Sequence, residues 1–283
     1  MRVRPLLLPV LLCAASVGAQ QVQPAPFAAA EVRARLSRAI VGPPMPADAA
    51  ALDAMVARSD GAALSRRLGG TSDPAQVDLD LNWERDRLFA GGGFLLAQAY
   101  MTDLWRTGAA LPGAAGDQLK QSAALFLVYA VTLIRLDGPR CADPSAPAHR
   151  QQQLFARNQP LVTFLRGQPR PTRMKIGSLA VAWEAATSTV RRDDPVLCGD
   201  GLDAMVAGLK AAGDAPLREV PNAPGTFGRT LAVPSAPDDR PRFVPASTWA
   251  PVQAERRRAL PEFLTSFLTV PGDPVLQPAS PAR

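Results

Sequence analysis

The stretch "DQLKQSAALFLVYAVTLIRL" (residues 117–136) decides the fold. Between Lys120 and Arg135 it is apolar on nearly every side of a helix, from Ala123 to Ile134. A helix apolar all round has to be enclosed by other elements. Its apolar core falls short of the ~20 residues that a bilayer crossing needs, so it is expected inside a protein. Asp137, Gly138 and Pro139 follow it at once. Gly138 can take a left-handed C-terminal position, and Pro139 cannot continue the helix.

Helical patterns surround this element, at residues 28–41, 47–58, 73–90, 94–105, 144–157, 160–166, 172–192 and 201–212. "DPAQ" at residues 73–76 supplies a cap, a proline at the first helical position and a glutamine three residues after the cap. Asp200 is positioned to cap the last helix. Gly91, Gly92 and Gly93 either break the chain or admit a close neighbour. An all-α fold follows: a globular helical bundle around a central apolar helix at about 117–136.

The domain plan is a helical domain over residues 20–212, then a Pro/Gly-rich segment and terminal helix over 213–270 packed on it. A loose tail at 271–283 ends the chain. Within 213–247 only "GRTLAV" (228–233) hints at a strand, and this Pro-rich stretch is expected to be irregular. Ser247 is placed to cap the terminal helical region, which Pro261 interrupts. "LDAMVA" occurs at 52–57 and again at 202–207, but the flanks do not align. It is a recurrence of an Ala-rich pattern rather than a structural repeat.

The opening "MRVRPLLLPVLLCAASVGAQQ" has the form of a signal peptide. Arg2 and Arg4 precede an apolar run, and Val17, Gly18 and Ala19 offer small residues for cleavage. Residues 1–19 are therefore expected to be removed, giving an exported periplasmic or secreted chain with no transmembrane segment. Loss of the two arginines lowers the net charge from +6 to +4. Lysine occurs only at 120, 175 and 210, so the basic balance is almost wholly arginine in an Ala-, Gly- and Pro-rich chain. That is a weak argument for a nucleic-acid partner, and export removes it; an anionic envelope surface is the fairer match.

Export bears on the cysteines. Cys141 and Cys198 are the two that remain after cleavage, and an oxidising compartment favours their pairing as a disulfide. His149, the only histidine, lies eight residues from Cys141. A nucleophilic Cys–His pair would need a persistent thiolate, and no C-x-x-C or H-E-x-x-H spacing supports a metal site. The segment 136–150 is read as a tied corner between helices.

Three other groups could carry chemistry. In "DLDLNWERDR" (78–87) Asp80 and Glu84 share one helical face, as a carboxylate pair for acid–base work would. The interleaved Arg85 and Arg87 make a salt-bridged solvent face the plainer reading. Glu184 stands in the apolar run "SLAVAWEAATSTV", where burial would raise its pKa unless an arginine on a neighbouring helix meets it. "RGQPRPTRMK" gathers Arg166, Arg170, Arg173 and Lys175, and Pro169 and Pro171 place them on an extended loop able to touch an anionic surface.

No G-x-S-x-G elbow, S-x-x-K, phosphate-binding loop, dinucleotide fingerprint or calcium loop is present. The expectation is a non-enzymatic binding or accessory protein with no cofactor and no metal, whose partner is a periplasmic protein or envelope component. The alternative is a hydrolase of an envelope polymer working through Glu184 with Asp78, Asp80 or Glu84.

Overall fold

The computed structural model describes residues 43–221, 228–236 and 240–273. The signal peptide expected at residues 1–19, the helix expected at 28–41 and the tail beyond Asp273 lie outside the described residues.

Twelve α-helices and one two-stranded hairpin make up the described chain. Helices α1 (Ala49–Ala57), α2 (Gly61–Gly69), α3 (Pro74–Phe89) and α4 (Phe94–Ala110) lead to the central α5 (Gly113–Asp137). After a 3-10 turn at Gly138–Arg140 come α6 (Ser145–Arg157), α7 (Gln159–Gly167), α8 (Arg170–Thr187), the single turn α9 (Pro195–Cys198) and α10 (Leu202–Ala212). Strand β1 (Arg218–Val220) pairs antiparallel with β2 (Thr230–Ala232), and α11 (Ala246–Arg258) and α12 (Leu260–Leu268) follow. The fold is all-α around a central apolar helix.

Helix α5 is long and apolar enough to cross a membrane by composition, yet most of its apolar window is enclosed by neighbouring helices. Ala124, Leu127, Val128, Tyr129, Ala130 and Leu136 are fully buried. Each large apolar side chain so enclosed contributes about 1.5–3 kcal/mol, which fixes α5 as the hub of the core. Helix α4 runs beside it, and α8 covers another side through Trp183. That ring stacks on Phe89 at 4.1 Å and meets Phe126 edge-on at 4.9 Å, joining α3, α5 and α8.

Local rules set most boundaries. Asp73 and Pro74 start α3 as expected, with the Asp73 carboxylate accepting from the Ala75 amide. Gly91 has φ +102°, where a side chain would be strained and would strike the Val190 carbonyl. Gly93 lies against Asp194, whose buried carboxylate accepts from the Phe94 amide and from those of Val196 and Leu197. One side chain thereby caps α4 and α9 together. The three glycines both break the chain and admit a close neighbour.

Several expectations change. Helix α2 was not anticipated. Gly138 is right-handed (φ −52°), because the chain passes into the 3-10 turn instead of reversing. Helix α8 starts at Arg170 with Pro171 in its first turn, where a missing amide costs nothing. The basic stretch is thus a helix start, not an extended loop. Asp200 pairs with Arg150 instead of capping α10. The amides of Leu202 and Asp203 are taken by the side chains of Ser145 and Asp143. Helix α11 begins at Ala246, before Ser247, and the break into α12 falls at Ala259.

Cys141 and Cys198 form a disulfide across a sequence separation of 57. In the chain-entropy model such a loop closure is worth roughly 4 kcal/mol. The corner is held again where Cys141 bridges Phe243 and the Ala142 amide donates to the Arg242 carbonyl.

The core also contains charge. Arg191 donates to Asp137 Oδ2 at 2.8 Å and to Glu184 Oε1 at 2.7 Å. Arg257 on α11 reaches Glu184 Oε1 at 2.8 Å, and Gln253 reaches Asp137 Oδ1 at 3.0 Å. Removal of one partner from such a buried pair leaves the other charge uncompensated. Glu184→Ala is therefore expected to lower unfolding stability by about 3–5 kcal/mol in urea titration. A loss under about 1 kcal/mol would show that the network does not hold α8 to α11.

Candidate functional site

An open groove of about 1370 Å³ lies between α2, α4, α6, the α9–α10 segment and the chain leading out of β2. Its floor is apolar, with Leu64, Leu68, Leu95, Ala99 and Val196. Its walls are rich in arginine. Arg106 is committed: it pairs with Asp103 at 3.2 Å and donates to the carbonyls of Leu68, Gly69 and Thr71 at the end of α2. Arg150 is committed too, to Asp200 at 2.6 Å, Gln153 and the Val196 carbonyl. Arg58, Arg157 and Arg240 are exposed on the same walls, and their guanidiniums form no ion pair or hydrogen bond among the described residues. Among the described residues the groove therefore carries three cations without an ion-pair partner above an apolar floor.

At one wall the groove meets buried acid. Asp103 lines it, and Glu84 of α3 faces Asp103 from behind. Glu84 is 0% exposed, and neither of its carboxylate oxygens receives a hydrogen bond. Burial pushes the Glu84 carboxyl well above the usual carboxylate range, and the charges of Asp103 and Asp80 push it further. Asp103 is raised as well, by burial first, with Arg106 opposing. Two facing carboxyls raised in this way are biased toward sharing one proton. Asp80 sits one turn away on α3, clamped by Arg67 at 3.0 Å and Gln76 at 2.8 Å. The solvent-face reading of 78–87 is thus corrected. Asp78 is exposed, but Asp80, Trp83 and Glu84 face inward, because α2 supplies the Arg67 counter-charge.

Glu184 is buried in a different place. Burial alone would raise its carboxyl, but Arg257 and Arg191 outweigh that and hold it below the usual range. It shares no partner with Asp80 or Glu84, so the structure does not bring these carboxylates together. A depressed, doubly paired carboxylate is poorly suited to donate a proton.

The basic stretch also divides. Arg166 and Lys175 are exposed and Arg170 is half-buried. Arg173 is buried: its guanidinium binds the Leu268 and Gln168 carbonyls and the Asp273 carboxylate, tying α8 to the end of α12. Arg166 and Arg173 line a smaller cavity of about 160 Å³ against Phe155, Val162 and Phe267. Cys141 and Cys198 are consumed in the disulfide. His149 is exposed on the groove wall, bonded to Gln153 at 2.7 Å. Among the described residues no three His, Cys, Asp or Glu side chains converge as a metal-ligand set.

Sequence reasoning missed Asp103, Arg106 and the free arginines of the groove. Asp103 and Arg106 left one signal, an acid and a base three residues apart on the otherwise apolar 94–110 helix.

A carboxyl whose folded-state pKa is raised adds stability below its unfolded pKa and loses that contribution as pH rises through the folded value. Glu84→Gln keeps a neutral donor facing Asp103 and cannot ionise. The variant and the parent should unfold alike near pH 4, below the ordinary glutamate value. The variant should gain at least about 1 kcal/mol over the parent toward alkaline pH, at 1.36 kcal/mol per pKa unit. Parallel stability–pH curves would refute the shared-proton arrangement. Comparison with protein-family models, curated proteins and solved structures finds no match to this chain.

Proposed function

We propose that this is an exported, non-enzymatic binding or accessory protein of the cell envelope, and that its groove holds an extended anionic ligand. The single observation that carries the reading is the set of arginines, Arg58, Arg157 and Arg240, that have no ion-pair partner among the described residues and stand above an apolar floor. Unpaired guanidiniums in a concavity attract carboxylate or phosphate groups, and the floor accepts the apolar parts of the same ligand. The disulfide fits an oxidising compartment, in keeping with the signal-like opening of the chain.

A short oligo-glutamate labelled with a fluorophore is the direct probe. It should bind in low salt, and Arg58→Ala/Arg157→Ala should weaken it at least tenfold with the circular dichroism unchanged. An uncharged oligo-glutamine should not bind. Equal binding by the double variant and the parent removes the groove from the explanation.

A second reading, a carboxylate-dependent hydrolase of an envelope polymer, has one observation in its favour. Asp103 lines the groove, and Glu84, whose carboxyl burial biases toward the protonated form, lies behind it. Such a pair can take a proton from water and return it to a leaving group. Under this reading Asp103→Asn abolishes hydrolysis of a polysaccharide or peptide polymer while oligo-glutamate still binds. A purified parent protein that cleaves none of these polymers rules it out.

A further inference from the structure

Helix α10 is built inside out. On most surface helices the large apolar residues face the core. Here Leu202, Met205, Val206 and Leu209 are 57%, 42%, 46% and 43% exposed. Their offsets of zero, three, four and seven put them on one face. The opposite face is Gly201, Ala204, Ala207 and Gly208, and Gly208 is so close to the Pro234 carbonyl that no side chain fits. The small residues let the helix lie flat on the fold while the large ones are left outside. The stripe is also continuous with the groove, because Met205 belongs to both.

Several occupants fit poorly. A helix of this length spans about 16 Å. A second copy meeting it stripe on stripe would bury far less than the ~1,200 Å² of a stable interface, and would bring like-charged walls together. Among the chain's own segments outside the described residues, 27–41 carries Arg33, Arg35 and Arg38 against a single Glu31. The segment 274–283 has no acid at all. Neither offers net acid to Arg58 and Arg157, and the connection 237–239, which carries Asp238 and Asp239 beside Arg240, is too short to supply an apolar helical face.

We infer that the partner is an acidic amphipathic helix: its apolar face lies on Leu202, Met205, Val206 and Leu209, and its carboxylates reach Arg157 and Arg58 in the adjoining groove. This rests on the groove as an anion site and adds what the groove alone does not specify, a helical polypeptide with anchors at i, i+3 and i+7. The mode is a helix read by an apolar strip and fixed in register by flanking charge.

The test uses two labelled peptides of one composition, Leu and Glu in helical register and the same residues scrambled so that no face forms. The amphipathic peptide should bind the full-length protein at least tenfold more tightly in fluorescence anisotropy. Val206→Glu/Leu209→Glu, both at exposed positions, should erase that advantage while oligo-glutamate binding persists. Equal affinity for the two peptides overturns the inference and leaves the anion groove standing, whereas loss of oligo-glutamate binding would overturn both. A parent protein that sediments as a dimer and a double variant that is monomeric would assign the stripe to a second copy instead. Binding of the parent, but not the variant, to anionic phospholipid vesicles in place of the peptide would assign it to a membrane.

Discussion

The Arg191 guanidinium, enclosed in the core between Asp137 and Glu184, is the constraint on which the rest of the structure depends. An isolated charge at such a depth would cost several kcal/mol, so the network is stable only when every member is present. Asp137 ends α5, Glu184 lies near the end of α8, and Arg257 and Gln253 come from α11. Thr187 joins through its hydroxyl, which also meets Tyr129 at 2.9 Å. Apolar burial gathers these helices around α5, but it is indifferent to small slides along their axes. Directional bonds to a planar guanidinium are not, and they fix the register.

From Arg191 the chain is only three residues from Asp194, whose carboxylate caps α4 and α9 at once. Four residues later Cys198 is bonded to Cys141. The core network, the double cap and the disulfide are therefore consecutive ties on one short segment. That segment is also a wall of the groove, through Pro195, Val196 and Gly199. The arrangement of the arginines around the groove thus follows from a charge placed deep in the core, on the far side of the same piece of chain.

The apolar run in α5, the Asp73–Pro74 helix start and the pairing of Cys141 with Cys198 were all legible in the sequence. Each depends on local chemistry or on elimination among few candidates. The carboxylates were less legible for a physical reason. Asp80 and Glu84 look solvated because acidic residues interleaved with arginine usually are. Their inward direction depends on Arg67, contributed by α2, a nine-residue helix with glycine at both ends that was not anticipated. The turn of Arg173 into the core was hidden by Pro169 and Pro171, which mark a break but equally well begin a helix. The groove was not legible at all, since Arg58, Arg106, Arg157 and Asp103 meet only through the packing of α2, α4 and α6.

The inward face of α10 consists of glycine and alanine, and its N-terminus is held by the side chains of Asp143 and Ser145 from across the disulfide corner. Its placement therefore owes little to the identity of its large side chains. In most helices a change of surface is coupled to a change of core, because neighbouring positions share one packing problem. Here the two are separated: Leu202, Met205, Val206 and Leu209 are exposed, while glycine and alanine make the inward face of α10. In evolutionary terms α10 is an interchangeable face on a fixed scaffold. Substitutions on that outer face change its surface chemistry while the glycine and alanine that seat it on the bundle stay the same.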